Sequence, residues 1–255
     1  MLIGGLVSVS FRSLSCEEII EIAKQSGLHA IEWGSDVHVP LGDTKRAAEV
    51  YEKTVSAGLT VSSYGTYYKL GLIPDRTSRL AEYEKIRANA KALHTDIVRI
   101  WAGTKGSAAV TEQERKEWVR EAVFLAEQAE KDGLQLCFEC HPNTLTDELD
   151  SARTLLREID RENVKMYWQP NQHKTFAENQ AYLKAILPFV TNLHVFNWHG
   201  EAKQPLAYAK NEWESFFALA RSDEQNRFCL LEFMPDGQKT SLPQEADTLK
   251  QWIEL

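Results

Sequence analysis

Short runs of apolar residues, many of them β-branched, alternate along the chain with longer segments of helical periodicity. Eight of the short runs are typical of strands, and a helical segment follows each of them. They cover Leu2–Ser8, Ala30–Trp33, Thr60–Ser63, Ile97–Trp101, Leu134–Glu139, Val164–Trp168, Asn192–Phe196 and Phe228–Glu232. Because repeated strand–helix units need parallel neighbouring strands and right-handed crossovers, the pattern predicts an α/β fold, a single (β/α)8 TIM barrel.

Capping signals at the helix ends agree with this pattern. Ser15 followed by Glu18, and Thr111 followed by Glu114, are capping boxes that predict where two helices begin. Glycines at the ends of helical segments predict where three helices stop, namely Gly27, Gly58 and Gly133. The chain has 255 residues, close to the ~250 typical of one such barrel, so residues 1–255 are expected to form one domain.

Charge and the N-terminus exclude several classes of partner. The chain carries 29 Lys and Arg against 37 Asp and Glu, a formal charge of −8. Duplex affinity comes largely from basic side chains that neutralise phosphates, so nucleic acid is not an expected partner. The N-terminal segment has no basic leader, and its apolar run is too short for a membrane span. We therefore expect a cytoplasmic protein with no membrane partner.

Two of the four cysteines form a C-x-x-C pair, which in a turn would suggest zinc or redox chemistry. Here Cys137 and Cys140 lie in the segment LQLCFEC, which is predicted to be a strand. A separation of three residues puts the two thiols on opposite faces of a strand. We therefore interpret them as buried, inert cysteines.

Polar side chains stand at the C-terminal ends of three predicted strands, where barrel enzymes carry their active sites. In strand five, Glu139 shares the axis-facing side with His141, and strands seven and eight bring His194 and Glu232 to the same rim. Buried carboxylates and an imidazole that converge without partners would be costly, and a divalent cation removes that cost. The alternative is that both glutamates form salt bridges and His194 is a hydrogen-bonded core residue.

Aromatic and polar residues near the same rim are candidates for substrate binding, because tyrosine and tryptophan suit the apolar face of a sugar. The loop residue His38 is a further candidate, with a surface position as its alternative. His141 is favoured because it follows Glu139 by two residues. The proposed substrate-binding set is Trp33, His38, Tyr64, Trp101, His141, Trp168, Asn197 and Lys203.

An ordered set of short motifs runs over nearly the whole chain. It comprises LSCEEIIEIAKQSGLHAIEWGSDVHVP, GLTVSSYGTYYKLG, VRIWAG, FECHPNTLTD, WQPN, LHVFNW and LLEF. This set resembles the xylose isomerase-like barrel superfamily, and within it the sugar phosphate isomerase/epimerase branch that includes AP endonuclease 2 type proteins. The individual motifs are short, and their order makes the resemblance specific.

The resemblance implies one divalent metal ion, held by Glu139, Gln169, His194 and Glu232, with the two glutamates also transferring protons on opposite faces of the substrate. This chain departs from the family at Gln169, which replaces an aspartate, and at Gln172, which replaces a histidine. Losing one carboxylate should weaken metal binding and leaves Mg²⁺, Mn²⁺ and Zn²⁺ undistinguished. The family's distal arginine after strand seven has no clear counterpart, and the nearest candidates are Lys203 and Gln204.

The leading hypothesis is a metal-dependent isomerase or epimerase of a small sugar, sugar phosphate or polyol. One alternative is a dehydratase of a cyclic polyol or hydroxy acid, since the same proton abstraction can precede loss of water. Another is a non-catalytic sugar-binding barrel. Repair of abasic DNA is disfavoured by the charge of −8. The repair enzymes of this superfamily hold a multi-zinc cluster that needs several more His and Asp or Glu ligands, and few of the seven histidines here stand at predicted strand ends. The expected partner is a small carbohydrate, and because barrels of this family often pair, a homodimer is compatible with the resemblance.

Overall fold

Eight parallel strands close into a barrel in the computed structural model, which describes residues 1–254. The barrel strands are β1 (Leu2–Val7), β2 (Ala30–Gly34), β3 (Thr60–Lys69), β4 (Ile97–Trp101), β5 (Gln135–Glu139), β6 (Val164–Trp168), β7 (Val190–Val195) and β10 (Arg227–Leu231). Each strand pairs with its neighbours in chain order, and β1 closes the barrel by pairing with both β2 and β10. A short hairpin of β8 (Trp198–His199) and β9 (Ala202–Lys203) follows β7. The predicted (β/α)8 fold is confirmed.

A helix follows each barrel strand and covers its outer face. The helices are α1 (Cys16–Gln25), α2 (Thr44–Ser56), α3 (Arg76–Ala92), α4 (Glu112–Glu130), α5 (Leu149–Ile159), α6 (Phe176–Ile186), α7 (Lys210–Arg221) and α8 (Leu242–Ile253). The capping boxes at Ser15 and Thr111 are present, and Thr175 forms a third that the sequence reading missed. Within residues 1–254, no helix has both the length and the apolar character needed to cross a membrane.

Strand β3 is longer than predicted. It continues six residues beyond the expected end at Ser63, through the segment YGTYYK to Lys69. That segment mixes aromatic residues with glycine and threonine instead of β-branched apolar residues, so its strand character was not recognised. The extension carries Tyr67 to the mouth of the barrel.

Apolar side chains pack in two separate layers. A large cluster fills the space between the strands and the helices, and a smaller one lies inside the barrel, built from Val7, Val9, Cys137, Tyr167 and Leu230. Cys137 belongs to the inner cluster and Cys140 to the outer one, so the two thiols lie on opposite faces as predicted. All four cysteines are free and buried, and burial raises the pKa of Cys137 to about 12.

Candidate active site

Glu139, His194 and Glu232 converge at the C-terminal end of the barrel. Each has a potential ligand atom within 4.8 Å of the corresponding atoms of the other two, and all three residues are buried. The Nδ1 atom of His194 lies 3.6 Å from a carboxylate oxygen of Glu139 and 3.6 Å from one of Glu232. These distances are longer than direct hydrogen bonds, and the atoms surround a common point.

The fourth predicted ligand, Gln169, lies just beyond the end of β6 beside the same imidazole. Its side-chain oxygen Oε1 is 3.0 Å from His194 Nδ1. Nδ1 therefore faces three oxygen atoms from three different strand ends. The structure brings all four predicted metal ligands together, and their role as ligands remains a prediction.

Two charged residues that the sequence reading missed lie beneath this group. Arg99 of β4 and Glu32 of β2 are both buried inside the barrel. Arg99 donates from Nε to Glu32 at 3.0 Å and from Nη1 to a carboxylate oxygen of Glu139. Arg99 therefore bridges two carboxylates with one positive charge and holds one oxygen of Glu139 in place.

The second nitrogen of His194 points to Glu32. Its Nε2 atom lies 3.5 Å from Glu32 Oε2, so each ring nitrogen faces oxygen acceptors. Burial alone would lower the pKa of His194, but the carboxylates of Glu232 and Glu32 raise it to about 10. Without a metal ion, the surroundings therefore favour the imidazolium form.

The two glutamates of the predicted catalytic pair have opposite electrostatic environments. Burial raises the pKa of both, but for Glu139 the adjacent Arg99 reverses the effect and holds the pKa well below its usual range. For Glu232 burial dominates and raises the pKa to about 7, although His194 acts in the other direction. Within residues 1–254, the Glu232 carboxylate accepts no hydrogen bond, and it lies 3.6 Å from His194 Nδ1. Glu139 is a fixed anion, whereas Glu232 can exchange a proton.

The charges of the group suit a divalent cation. Three carboxylates, those of Glu32, Glu139 and Glu232, face one permanently charged cation, Arg99. With His194 neutral, a divalent cation would bring this group to electrical neutrality. An aspartate at position 169 would leave one negative charge uncompensated. Carboxylate, amide and imidazole donors are ordinary ligands of such ions, so the residues fit the metal that the resemblance implies.

A cavity of about 240 Å³ opens above this group to the surface. Its wall includes Glu139, Gln169 and Glu232 at the base, with Arg12, Tyr67, Trp101, His141, Trp198 and Phe233 above them. Phe233 follows Glu232 directly and has a φ of 54°, a left-handed conformation that is unusual for a bulky residue. Two cations lie near the Phe233 ring: the charged atoms of Arg12 and Lys203 are 5.9 and 4.7 Å from its centroid.

His141 lies at the wall of the cavity with its ring orientation fixed. It stacks on Trp101 with the ring centroids 4.3 Å apart. Its Nδ1 atom is 2.7 Å from the carbonyl oxygen of Pro142. Because a carbonyl can only accept, Nδ1 must carry the proton, and the neutral ring then has its lone pair on Nε2.

Several predicted substrate-binding residues lie elsewhere. Trp33, Tyr64 and Trp168 are buried in the layer between strands and helices, which corrects the expectation that they line the cavity. Trp33 directly follows the inward-facing Glu32, so alternation along β2 turns it toward the helices. Trp168 packs against Trp213 and Phe216 for the same reason.

The remaining candidates divide into two groups. Trp101 and His141 line the cavity as expected, and Lys203 lies at its edge over Phe233. His38 is buried away from the cavity with its Nε2 3.2 Å from the Leu14 carbonyl oxygen. Asn197 donates to the Pro205 carbonyl oxygen at 2.9 Å and supports the loop after β7. The expectation that His38 and Asn197 line the cavity is therefore wrong, because His38 Nε2 and Asn197 Nδ2 face backbone oxygens of the surrounding loops.

Comparison with known proteins adds a family and specific relatives. The family model of the xylose isomerase-like TIM barrel matches residues 20–252. A 166-residue stretch is 29% identical to a 3-dehydroshikimate dehydratase of Bacillus anthracis, covering 64% of this chain and 59% of that protein, less than two thirds of its length.

Two solved structures show the same fold. The crystal structure of AsbF, a probable 3-DHS dehydratase of Bacillus anthracis, matches with a TM-score of 0.83 and 23% identity over 98% of this chain and 99% of that one. D-psicose 3-epimerase of Clostridium cellulolyticum H10 matches with a TM-score of 0.75 and 14% identity over 99% and 98%. These relatives are enzymes, in agreement with the prediction of an enzyme. The resemblance is confirmed, and the chain belongs to the xylose isomerase-like TIM barrel family.

Proposed function

We propose that the protein is a metal-dependent dehydratase that removes water from a small cyclic hydroxy acid, with 3-dehydroshikimate as the first candidate substrate. The observation that carries this proposal is the four-donor group Glu139, Gln169, His194 and Glu232 at the base of a cavity that also presents His141 and Arg12. The match to the 3-dehydroshikimate dehydratase supports the same reaction class.

The unequal glutamates favour dehydration over epimerisation. An epimerase of the kind first considered needs two carboxylates that exchange protons on opposite faces of one carbon. Here the ion pair with Arg99 keeps Glu139 ionised, so it is a poor proton carrier. Dehydration can use a single group that takes the proton from carbon and returns it to the leaving hydroxyl, and His141 can serve as that group.

The bond changes can be assigned to atoms of this chain. A divalent cation at the four donors would polarise a substrate carbonyl and stabilise the negative charge that develops on its oxygen. His141 Nε2 accepts the proton from the carbon next to that carbonyl. The C–O bond two carbons from the carbonyl then breaks, a C=C bond forms, and the hydroxyl leaves as water with the proton that His141 Nε2 has taken up.

Arg12 accounts for the preference for an acid over a neutral sugar. Its guanidinium is held in place by Asp36 at 2.5 Å, Tyr67 at 2.6 Å and the Val9 carbonyl oxygen at 3.2 Å. Its Nη1 and Nη2 atoms each use one N–H in these bonds, which leaves one N–H on each nitrogen for a ligand. Two adjacent N–H groups match a carboxylate, and Lys203 adds a second positive charge at the same edge.

The test is an assay for water loss from 3-dehydroshikimate in the presence of Mn²⁺, Mg²⁺ or Zn²⁺, followed by the absorbance of the aromatic product. We expect turnover in the wild type and a loss of about 10²–10⁴-fold in kcat for His141→Asn, the usual contribution of a general base. His94→Asn is the matched control, because His94 also stacks on an aromatic ring, that of Tyr51, but lies outside the cavity. Equal kcat values for the wild type and His141→Asn would contradict the assignment of the base.

Epimerisation of a ketose remains the second candidate. It is favoured by the placement of two glutamates around one point and by the structural likeness to D-psicose 3-epimerase. Incubation of each substrate in deuterated water separates the two. A dehydratase yields an unsaturated product one water lighter, whereas an epimerase yields a sugar of unchanged formula with deuterium at one carbon.

A further inference from the structure

Glu32 has no role in the reaction outlined above, yet it lies at the centre of the polar interior. Its side chain is fully buried in β2. Its two oxygens have different partners: Oε1 accepts from Arg99 Nε at 3.0 Å, while Oε2 accepts from Ser63 at 3.0 Å and lies 3.5 Å from His194 Nε2. The Glu32 carboxylate therefore contacts one candidate metal ligand, His194, directly and a second, Glu139, through Arg99.

The contact with His194 has a chemical consequence for the other ring nitrogen. A carboxylate near Nε2 favours a proton on that atom, because an ionised carboxylate can only accept hydrogen bonds. A cation held among the oxygens of Glu139, Gln169 and Glu232 would displace the proton that those oxygens favour on Nδ1, and Glu32 would then keep the remaining proton on Nε2. This is the tautomer that a metal ligand at Nδ1 requires.

The contact with Arg99 acts on a second ligand. Arg99 bridges the two glutamates, with Nε on Glu32 and Nη1 on Glu139. The orientation of the guanidinium, and with it the oxygen of Glu139 that remains for a metal ion, therefore depends on Glu32. The backbone makes room for this bridge at Gly65, where a Cβ atom would lie 2.5 Å from Glu32 Oε1 and 2.8 Å from Arg99 Nη2.

We propose that Glu32 is a positioning residue for the metal site. It fixes the tautomer of His194 and the direction of Arg99, so that the four donors face one point. This inference rests on the metal binding contained in the proposed function and does not depend on which reaction follows.

The test compares two buried glutamates. Glu32→Gln keeps the side-chain shape and removes the charge. Glu121→Gln is the matched control, because Glu121 is also buried but lies outside the barrel interior. It accepts from Tyr68 at 2.6 Å and from the Gly71 N–H at 3.1 Å, and forms an ion pair with Arg79 at 3.1 Å. Dissociation constants for Mn²⁺ and Zn²⁺ are measured by competition with a chelating dye. The ¹⁵N shifts of His194 in the Zn²⁺ form report its tautomer.

We expect Glu32→Gln to bind both ions about 10–100-fold more weakly, the usual effect of removing a group that orients a metal ligand. Its His194 signals should lose the single Nε2-protonated form of the wild type, and Glu32→Asp should restore part of the affinity. Glu121→Gln should keep wild-type affinity even if its melting temperature falls. If Glu32→Gln does not fold, Ser63→Ala takes its place, with a several-fold loss of affinity expected because it frees Glu32 Oε2 to turn.

Three results would overturn the proposal: unchanged affinity in Glu32→Gln, or in Ser63→Ala where that variant replaces it; an equal loss in Glu121→Gln; or a wild type that binds neither ion. A wild type that binds the ions and shows the expected difference, but removes no water from any hydroxy acid, refutes the proposed function and leaves the positioning role intact.

Discussion

Metal binding should release protons, and the number released is set by the two titrating residues of the site. In the metal-free protein the pKa of His194 is raised to about 10 by the Glu232 and Glu32 carboxylates, against burial, and burial raises the pKa of Glu232 to about 7. A cation at Nδ1 requires a neutral imidazole, so the metal-free protein holds more protons than the metal-bound protein. Affinity must therefore rise with pH.

The magnitude follows from these two pKa values. Between pH 8 and pH 9 His194 is still protonated while Glu232 is ionised, so one proton leaves and the affinity should increase about tenfold per pH unit. At pH 7 Glu232 is about half protonated and adds about half a proton to the count. Below pH 6 the count should approach two protons, and affinity should fall about a hundredfold per pH unit.

Calorimetric titration with Mn²⁺ in buffers of equal pH and different ionisation enthalpy measures this count directly. We expect about one proton at pH 8.5 and about one and a half at pH 7, while His94→Asn should match the wild type. A count near zero at pH 8.5, with affinity independent of pH from 8 to 9, would show that His194 is neutral before the ion binds and would refute this reasoning.

Three further predictions concern the framework of the site. Gly65→Ala should destabilise the protein by about 1–3 kcal/mol in denaturant unfolding and weaken Mn²⁺ binding, because its Cβ would overlap the Glu32–Arg99 pair; wild-type stability would contradict this close approach. Thr175→Ala removes a capping box and should lower the melting temperature by about 2–4 °C, with no change in Mn²⁺ affinity. The four buried cysteines should react with a thiol reagent only after unfolding, so rapid labelling of the native protein would count against their burial.

The alternation of residues along strands carried much of the structural prediction. In β5, alternation predicted that Cys137 and Glu139 face the barrel axis and that Leu136 and Phe138 face the helices. The structure shows Cys137 in the inner cluster and Leu136 and Phe138 in the outer one. Side chains of successive strand residues point to opposite faces. Once the strand is known, the number of positions between two residues, odd or even, therefore tells whether they share a face; we call this their parity. Applying parity to Trp33 would have turned it away from the cavity, but its residue type suggested a lining role instead.

Some of the site residues that the sequence reading missed could have been recognised from the sequence, and others could not. Glu32 and Arg99 each interrupt an otherwise apolar strand, and a charge in such a strand must be paired. The sequence did not reveal that they form a pair, because β3 lies between β2 and β4 and the two side chains meet over Gly65. Arg12 lies in a loop without periodicity, and its contacts with Asp36 and Tyr67 depend on the whole fold.

Within residues 1–254, a buried apolar cluster fills the barrel beneath the site. Cys137 and Leu230 lie two residues before Glu139 and Glu232 on their strands, and Ile97 and Phe228 pack against the same cluster. The ion, the substrate and the product are therefore expected to enter and leave through the cavity mouth beside Trp101 and Phe233. For the proposed dehydratase this imposes an order: the ion is the deepest ligand and enters first, the acid enters second and traps it, and the released water leaves no later than the product that blocks its path.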